Sequence, residues 1–238
     1  MNAFKELGDV IAATWKQVAE DPAAFPEIAA KALQDSGVLS TLTLSNIVEW
    51  FGKSKEPPTQ DASDFGQPPI NVFVSPKFYI QALFWIDATT AIHEHGFVGA
   101  FGVLSGSSVH TRYKFDLTND LSREFKVGNV VPISSEILHK GDIRTIHAGG
   151  SFAHALFHME RPSLSVVVRT YSAGVTQYSY IKPHIAFDPT HNDKILKTKV
   201  RLLESLRFSD PKMFWQYANL LLCKRRSKNR PRHAAKAE

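Results

Sequence analysis

The sequence predicts a mainly β protein, an antiparallel sandwich or barrel with α-helical extensions at its N- and C-terminal ends. Three observations predict it. Short β-branched and aromatic runs fill the middle of the chain, turn-forming residues separate them, and apolar residues recur at helical spacing only towards the termini. No long helical stretch lies between the central runs, which argues against a parallel sheet, whose strands need helical crossovers. With 238 residues and 43% hydrophobic composition, the chain can bury one sizeable core and a small helical layer.

In residues 3–50, Phe4, Leu7, Ile11, Trp15 and Val18, then Ile28, Ala32 and Leu33, repeat with helical period. Asp21 is placed to cap a helix beginning at Pro22, and Ser45 to cap a short helix carrying Ile47, Val48 and Trp50. Residues 1–52 are expected to form a helical packing layer or an oligomer contact. Residues 53–69, with Pro57, Pro58, Pro68 and Pro69 among Ser, Asp, Gln and Gly, hold too few apolar groups to offset the entropy of ordering and read as a linker.

From 70 to 190 the runs 71–74, 78–86, 97–104, 109–115, 130–133, 145–146, 165–171 and 176–181 read as strands. Turn-like separators such as Ser75-Pro76, Ser105-Gly106, Gly149-Gly150 and Ala173-Gly174 divide them. Beyond His191 the helical period returns through Ile195, Val200, Leu203 and Leu206, then Phe214 and Tyr217 after Asp210-Pro211, so residues 191–223 are expected to be helical.

The net charge of +5 is concentrated in a C-terminal run at 224–232, within a basic, flexible tail at 224–238. A solvated terminus is favoured there over a nucleic-acid or membrane contact. The single cysteine, Cys223, excludes an intrachain disulfide and a cysteine-held metal cluster within one chain, and fits a reducing, cytoplasmic compartment. The start of the chain lacks the basic and apolar pattern of a secretory signal, and no stretch is long and apolar enough to span a bilayer.

Of ten histidines, His93 and His95 are the informative pair, because residues two apart on a strand project from the same face and can grip one ion. A second histidine-rich stretch, from His147 through His154 to His158, lies where a later strand can come alongside. Three imidazoles would leave open coordination positions on one metal, and imidazole suits iron, zinc, nickel and copper alike. Glu94 should face the opposite side of the strand and is assigned no catalytic role. His110, His139, His184, His191 and His233 show no ligand spacing and read as surface or packing residues.

The stretch Thr90-Ala91-Ile92-His93-Glu94-His95, closed by Leu104-Ser105-Gly106, together with Gly141, Gly149 and His154, resembles the two motifs of the cupin superfamily. Within it the sequence is most similar to the thiol dioxygenases, over roughly residues 71–189. The resemblance implies a cupin-type antiparallel β-barrel, a double-stranded β-helix, holding Fe(II) on His93, His95 and His154. His147 and His158 are the alternatives for the third ligand, and His158 is otherwise expected beside the centre. Where most cupins place a glutamate ligand this chain has Gly99, Ala100 and Phe101, which leaves a three-histidine site as in thiol dioxygenases.

Ala100 also stands about where cysteine dioxygenases carry the cysteine that cross-links to a tyrosine, so that cross-link cannot form. The tyrosine is matched by Tyr171, a candidate proton donor, and Arg169 replaces the histidine two residues before it. Strand alternation places Arg169 on the same face as Tyr171, where it could pair with a substrate carboxylate. No arginine occurs between Met1 and His110, where the family's carboxylate-binding arginine should fall, so free cysteine is not the expected substrate. The expected function is a mononuclear non-heme iron dioxygenase taking dioxygen and a small thiol or related molecule. A metal-dependent isomerase or lyase and a noncatalytic metal- or ligand-binding module are the alternatives.

Overall fold

A computed structural model describes residues 2–60, 65–87, 89–182, 184–190, 194–210, 212–214, 216–218 and 220. The N-terminal layer comprises α1 (Asn2–Gln17), α2 (Phe25–Asp35), α3 (Val38–Thr41) and α4 (Leu44–Lys53). Phe4, Leu7, Ile11 and Trp15 form one buried face of α1, as the spacing requires. Two caps differ from expectation. Asp21 caps no helix but accepts from Ala23 N in a turn, and α2 starts at Phe25 with proline in its first turn. The cap of α4 is Thr43 rather than Ser45: its hydroxyl accepts from Asn46 N at 3.3 Å while Asn46 Oδ1 accepts from Thr43 N at 3.0 Å, which satisfies two end groups at once.

The β region runs β1 (Pro69–Val74), β2 (Phe78–Trp85), β3 (Ile92–His95), β4 (Gly99–Ser105), β5 (Ser108–Ser122), β6 (Phe125–Leu138), β7 (Ile143–Ile146), β8 (Gly149–His158), β9 (Ser163–Thr170), β10 (Ser179–Ile181) and β11 (Ile185–Phe187). One sheet has the order β1-β2-β9-β4-β7, and the other closes as β10-β11-β6-β5-β8-β3, so the fold is mainly β with a closed antiparallel barrel. β5 and β6 are far longer than their apolar runs. Their outer residues, such as Asp116, Thr118 and Asp120, are exposed and polar, and pairing rather than burial extends them.

Every residue of β2 is buried because both faces of the first sheet are covered. Phe78, Ile80, Ala82 and Phe84, with Leu164, Val166 and Val168 of β9, pack against the N-terminal helices. The alternate residues Leu83, Trp85, Phe101 and Val167 face the second sheet and meet Phe152 and Leu156 of β8. Each such fully buried large apolar side chain contributes roughly 1.5–3 kcal/mol. At the other end, α5 (Lys194–Ser209) buries Val200 and Leu203 against Phe125, Val127, Ile181 and Ile185.

The stretch expected as a linker is seated on the first sheet on both sides of residues 61–64. Gln60 exchanges two hydrogen bonds with the Asn71 backbone, Gln67 N donates to Phe84 O at 2.7 Å, and Gln67 Oε1 accepts from Ile86 N and Asp87 N. Amide and backbone pairing fixes this segment, a signal that apolar content does not carry. Cys223, His191, His233 and the basic tail lie outside the described residues.

Candidate metal centre

His93 and His95 project from β3 into the space between the two sheets, and both are buried. β3 pairs antiparallel with β8 so that His93 stands directly opposite His154, and a register shift before His95 sets that residue opposite Gly149. The three imidazole centroids form a near-equilateral triangle with sides of 4.7, 4.8 and 5.0 Å. One ring nitrogen from each lies within 4.8 Å of the others, and no further His, Cys, Asp or Glu joins this group among the described residues.

The hydrogen bonds say which nitrogens are available. His93 Nδ1 lies 2.8 Å from Ala91 O, a carbonyl that only accepts, so Nδ1 carries the proton and Nε2 keeps its lone pair. That Nε2 is buried and has no hydrogen-bond partner. His154 uses Nδ1 towards His110, and its Nε2 stands 2.9 Å from His95 Nε2. His95 Nδ1 is likewise buried without a hydrogen-bond partner.

Burial pushes His93 down to about 4 and holds His95 and His154 well below their ordinary value. For His95 the His93 ring and the Arg169 guanidinium add to burial, and for His154 the neighbouring imidazoles and Arg112 do so. All three are therefore neutral at neutral pH, the form that ligates. An orphaned ring nitrogen in a dry site, such as His93 Nε2, is costly unless a cation accepts its lone pair, and three imidazoles fit a divalent transition metal. A three-histidine metal-binding group is present.

Around this group is a cavity of about 30 Å³ walled by Trp85, Phe97, Phe101, Ile146, Leu156 and Val167. Its polar lining comprises Gln81, Thr90, Ser165, Arg169 and the three histidines, with no aspartate or glutamate among the described residues. Among the described residues Phe65 is the one lining residue that is exposed, its ring 5.1 Å from that of His93, and it marks the solvent side. The position a cupin glutamate would take offers no carboxylate: Phe101 faces the cavity and Ala100 packs under the helical layer. A side chain at Gly99 would place its Cβ 2.0 Å from Val168 O, so glycine there serves the close approach of β4 and β9.

Arg169 lines the cavity, with its guanidinium 3.4 Å from the Phe97 ring centroid. Tyr171 does not share that face, which corrects its assignment as a proton donor. β9 ends at Thr170, alternation stops there, and the exposed Tyr171 packs on Tyr79 and donates to Ser75 O at 2.9 Å.

His158 also stands apart, four residues beyond His154 on β8 and so roughly 13 Å along the strand. Its ring stacks on Trp85 at 4.8 Å, and its Nδ1 is shared by Ser108 Oγ and Ser163 Oγ, each at 2.8 Å. His147 is exposed.

One histidine that its spacing gave as a surface or packing residue belongs to the centre. His110, on β5, is buried with Nε2 2.9 Å from His154 Nδ1 and Nδ1 3.0 Å from Glu136 Oε1. Glu136 is gripped in turn by Arg144 through two bonds of 2.9 and 2.6 Å. The only sequence signal was a polar residue at an inward position of a strand, between Val109 and Thr111.

No helix among the described residues is long and apolar enough to cross a membrane. No family model matches the chain, and no curated protein matches it. Among solved structures, the DMSP lyase DddQ from Ruegeria pomeroyi DSS-3 is 15% identical over 74% of this chain and 95% of its own, with a TM-score of 0.35. A hydroquinone 1,2-dioxygenase from Sphingomonas sp. TTNP3, with 4-hydroxybenzoate bound, is 14% identical over 48% of this chain and 71% of its own, with a TM-score of 0.35. A chain from the crystal structures of the DMSP lyases RdDddP and RnDddQII is 18% identical with a TM-score of 0.30, and this chain spans 44% of its length.

Proposed function

We propose that this chain is a cupin-type, iron(II)-dependent oxygenase acting on a small anionic thiol or related small molecule, with His93, His95 and His154 as the ligands. The observation that carries the reading is the convergence of three neutral, buried imidazoles in a cavity that no carboxylate lines among the described residues. Three ligands leave positions open, as a reactive metal needs and a closed structural site does not provide. Iron(II) held there would supply the redox chemistry by which a thiol takes both atoms of dioxygen, RSH + O₂ → RSO₂H.

The remaining roles belong to the chain itself. Trp85, Phe97 and Phe101 exclude water, and the small cavity admits only a small substrate. A dication on three neutral ligands would carry a net positive charge that favours an anion. The planar Arg169 guanidinium, held against Phe97, is the group that recognises a substrate carboxylate or comparable anion.

Metal quantification followed by oxygen uptake over a panel of small thiols tests the reading. The expected result is copurified iron, oxygen consumption matched by sulfinate formation, and both product oxygens derived from labelled dioxygen. Tightly held zinc or nickel, with turnover that consumes no oxygen, would instead make the protein a lyase or isomerase.

A further inference from the structure

His110, Glu136 and Arg144 lie outside the set of residues that would touch metal or substrate, yet they end on a ligand. Their hydrogen bonds have a direction that can be read atom by atom. The Glu136 carboxylate is fixed by the bidentate grip of Arg144, which holds it down to about 2, and it can only accept. The proton between Glu136 and His110 therefore sits on His110 Nδ1. His154 turns its Nδ1 to His110 Nε2 and its Nε2 to His95, so a His154 that offers its Nε2 lone pair carries its proton on Nδ1 and donates it to His110 Nε2, which is then bare. With its proton on Nδ1, His154 has a lone pair on Nε2, the nitrogen that faces His95.

We propose that Arg144, Glu136 and His110 are positioning residues that fix the tautomer and ring orientation of His154, presenting its Nε2 to the metal. The inference rests on the ligand set proposed above. It extends the carboxylate–histidine–metal arrangement by one imidazole, so a carboxylate near the surface sets the proton position on a ligand in the core. The polarity of Glu136 is decisive. An amide at that position can keep its oxygen on Arg144 and turn its NH₂ towards His110. Every bond in the chain then reverses: His110 Nε2 donates to His154 Nδ1, and His154 Nε2 carries the proton where a ligand needs a lone pair.

Two measurements test this on Glu136→Gln and His110→Phe, with thermal melts confirming that each variant is folded. Zinc(II) affinity, read by competition with a chromophoric chelator, is expected to fall about 10- to 100-fold in both. Imidazole nitrogen NMR of the metal-free protein is expected to show His154 protonated at Nδ1 in the natural protein and shifted towards Nε2 in Glu136→Gln, a change that a merely structural role would not produce. Wild-type zinc affinity in both variants, while His154→Ala loses the metal, would overturn the positioning role and leave the ligand set intact. A His154 protonated at Nε2 in the natural metal-free protein would overturn it without any metal experiment. Full zinc binding by His154→Ala would remove the ligand set itself, and the positioning role with it.

Discussion

β3 carries buried polar groups on both of its faces, and the two faces are built in opposite ways. Towards the interior of the closed barrel, Glu94 accepts from the Tyr180 hydroxyl at 2.6 Å and from Tyr178 N at 3.3 Å, so both of its oxygens are used. Towards the space between the sheets, His93 Nε2 and His95 Nδ1 are buried without hydrogen-bond partners. The strand is the same and the burial equal, at 3% exposure for His93 and Glu94 and 4% for His95. A satisfied buried polar group holds a fold together, whereas a row of unsatisfied ring nitrogens marks where something else is meant to bind.

The sharpest way to break this contrast is to remove the ligands. His93→Ala, His95→Ala and His154→Ala should each lose most of the bound metal, a fall of about 100-fold or more in affinity, while His139→Ala keeps it. Elemental analysis of the purified variants checks this, and a His154→Ala protein with full metal would place the third ligand elsewhere. Next in size is Arg169→Leu. A lost charge-assisted pair is commonly worth about 1.5–3 kcal/mol, so KM for anionic thiols should rise about 10- to 100-fold while neutral thiols change little. Equal changes for both classes would show that Arg169 does not read substrate charge.

The opposite face should respond in stability rather than in metal content. Glu94→Leu leaves the Tyr180 hydroxyl and Tyr178 N without their acceptor, a cost of about 1–3 kcal/mol in urea unfolding, with metal stoichiometry unchanged. Loss of metal with unchanged stability would reverse the roles given to the two faces.

The smallest effect at neutral pH belongs to His158, which burial pushes down to about 4. Its folded pKa lies below the unfolded value of 6.5, so the unfolded chain takes up the proton first. Folding stability is therefore undiminished above pH 6.5 and declines as pH falls towards 4, by up to about 3 kcal/mol for this one group. His158→Gln should flatten that acid limb, measured as the change in urea midpoint between pH 7 and pH 4.5. An unaltered limb would show that His158 does not titrate this way.

The parts of the site that were legible in the sequence were those encoded locally. His93 and His95 fall two apart on one strand, so periodicity paired them, whereas Arg169 was placed only relative to Tyr171, whose face it does not share. Tyr171 was misplaced because the same periodicity was carried one residue past the end of β9. His110 was missed because its partners are 26 and 44 residues away in sequence, and only the register of three strands brings them together. Similarly, Ser45 looked like a cap because serine favours that position, but the reciprocal bonds of Thr43 and Asn46 start the helix earlier. Propensity proposes such ends, and hydrogen bonds decide them.

The pairing of His93 with His154 also bears on the order of events as the protein forms. Their rings are brought together only after a loop of about 60 residues has closed, at an entropic cost that local contacts do not meet. An unfolded chain offers a metal two imidazoles at a time, and a slip of β8 by one residue would set Ala153 or Ala155 against His93 and turn His154 to the other side. An ion bound by the proposed ligands would reward a register that the strands have already chosen, stabilising the folded chain by mass action, so metal supply would bear more on how long the protein lasts than on whether it folds.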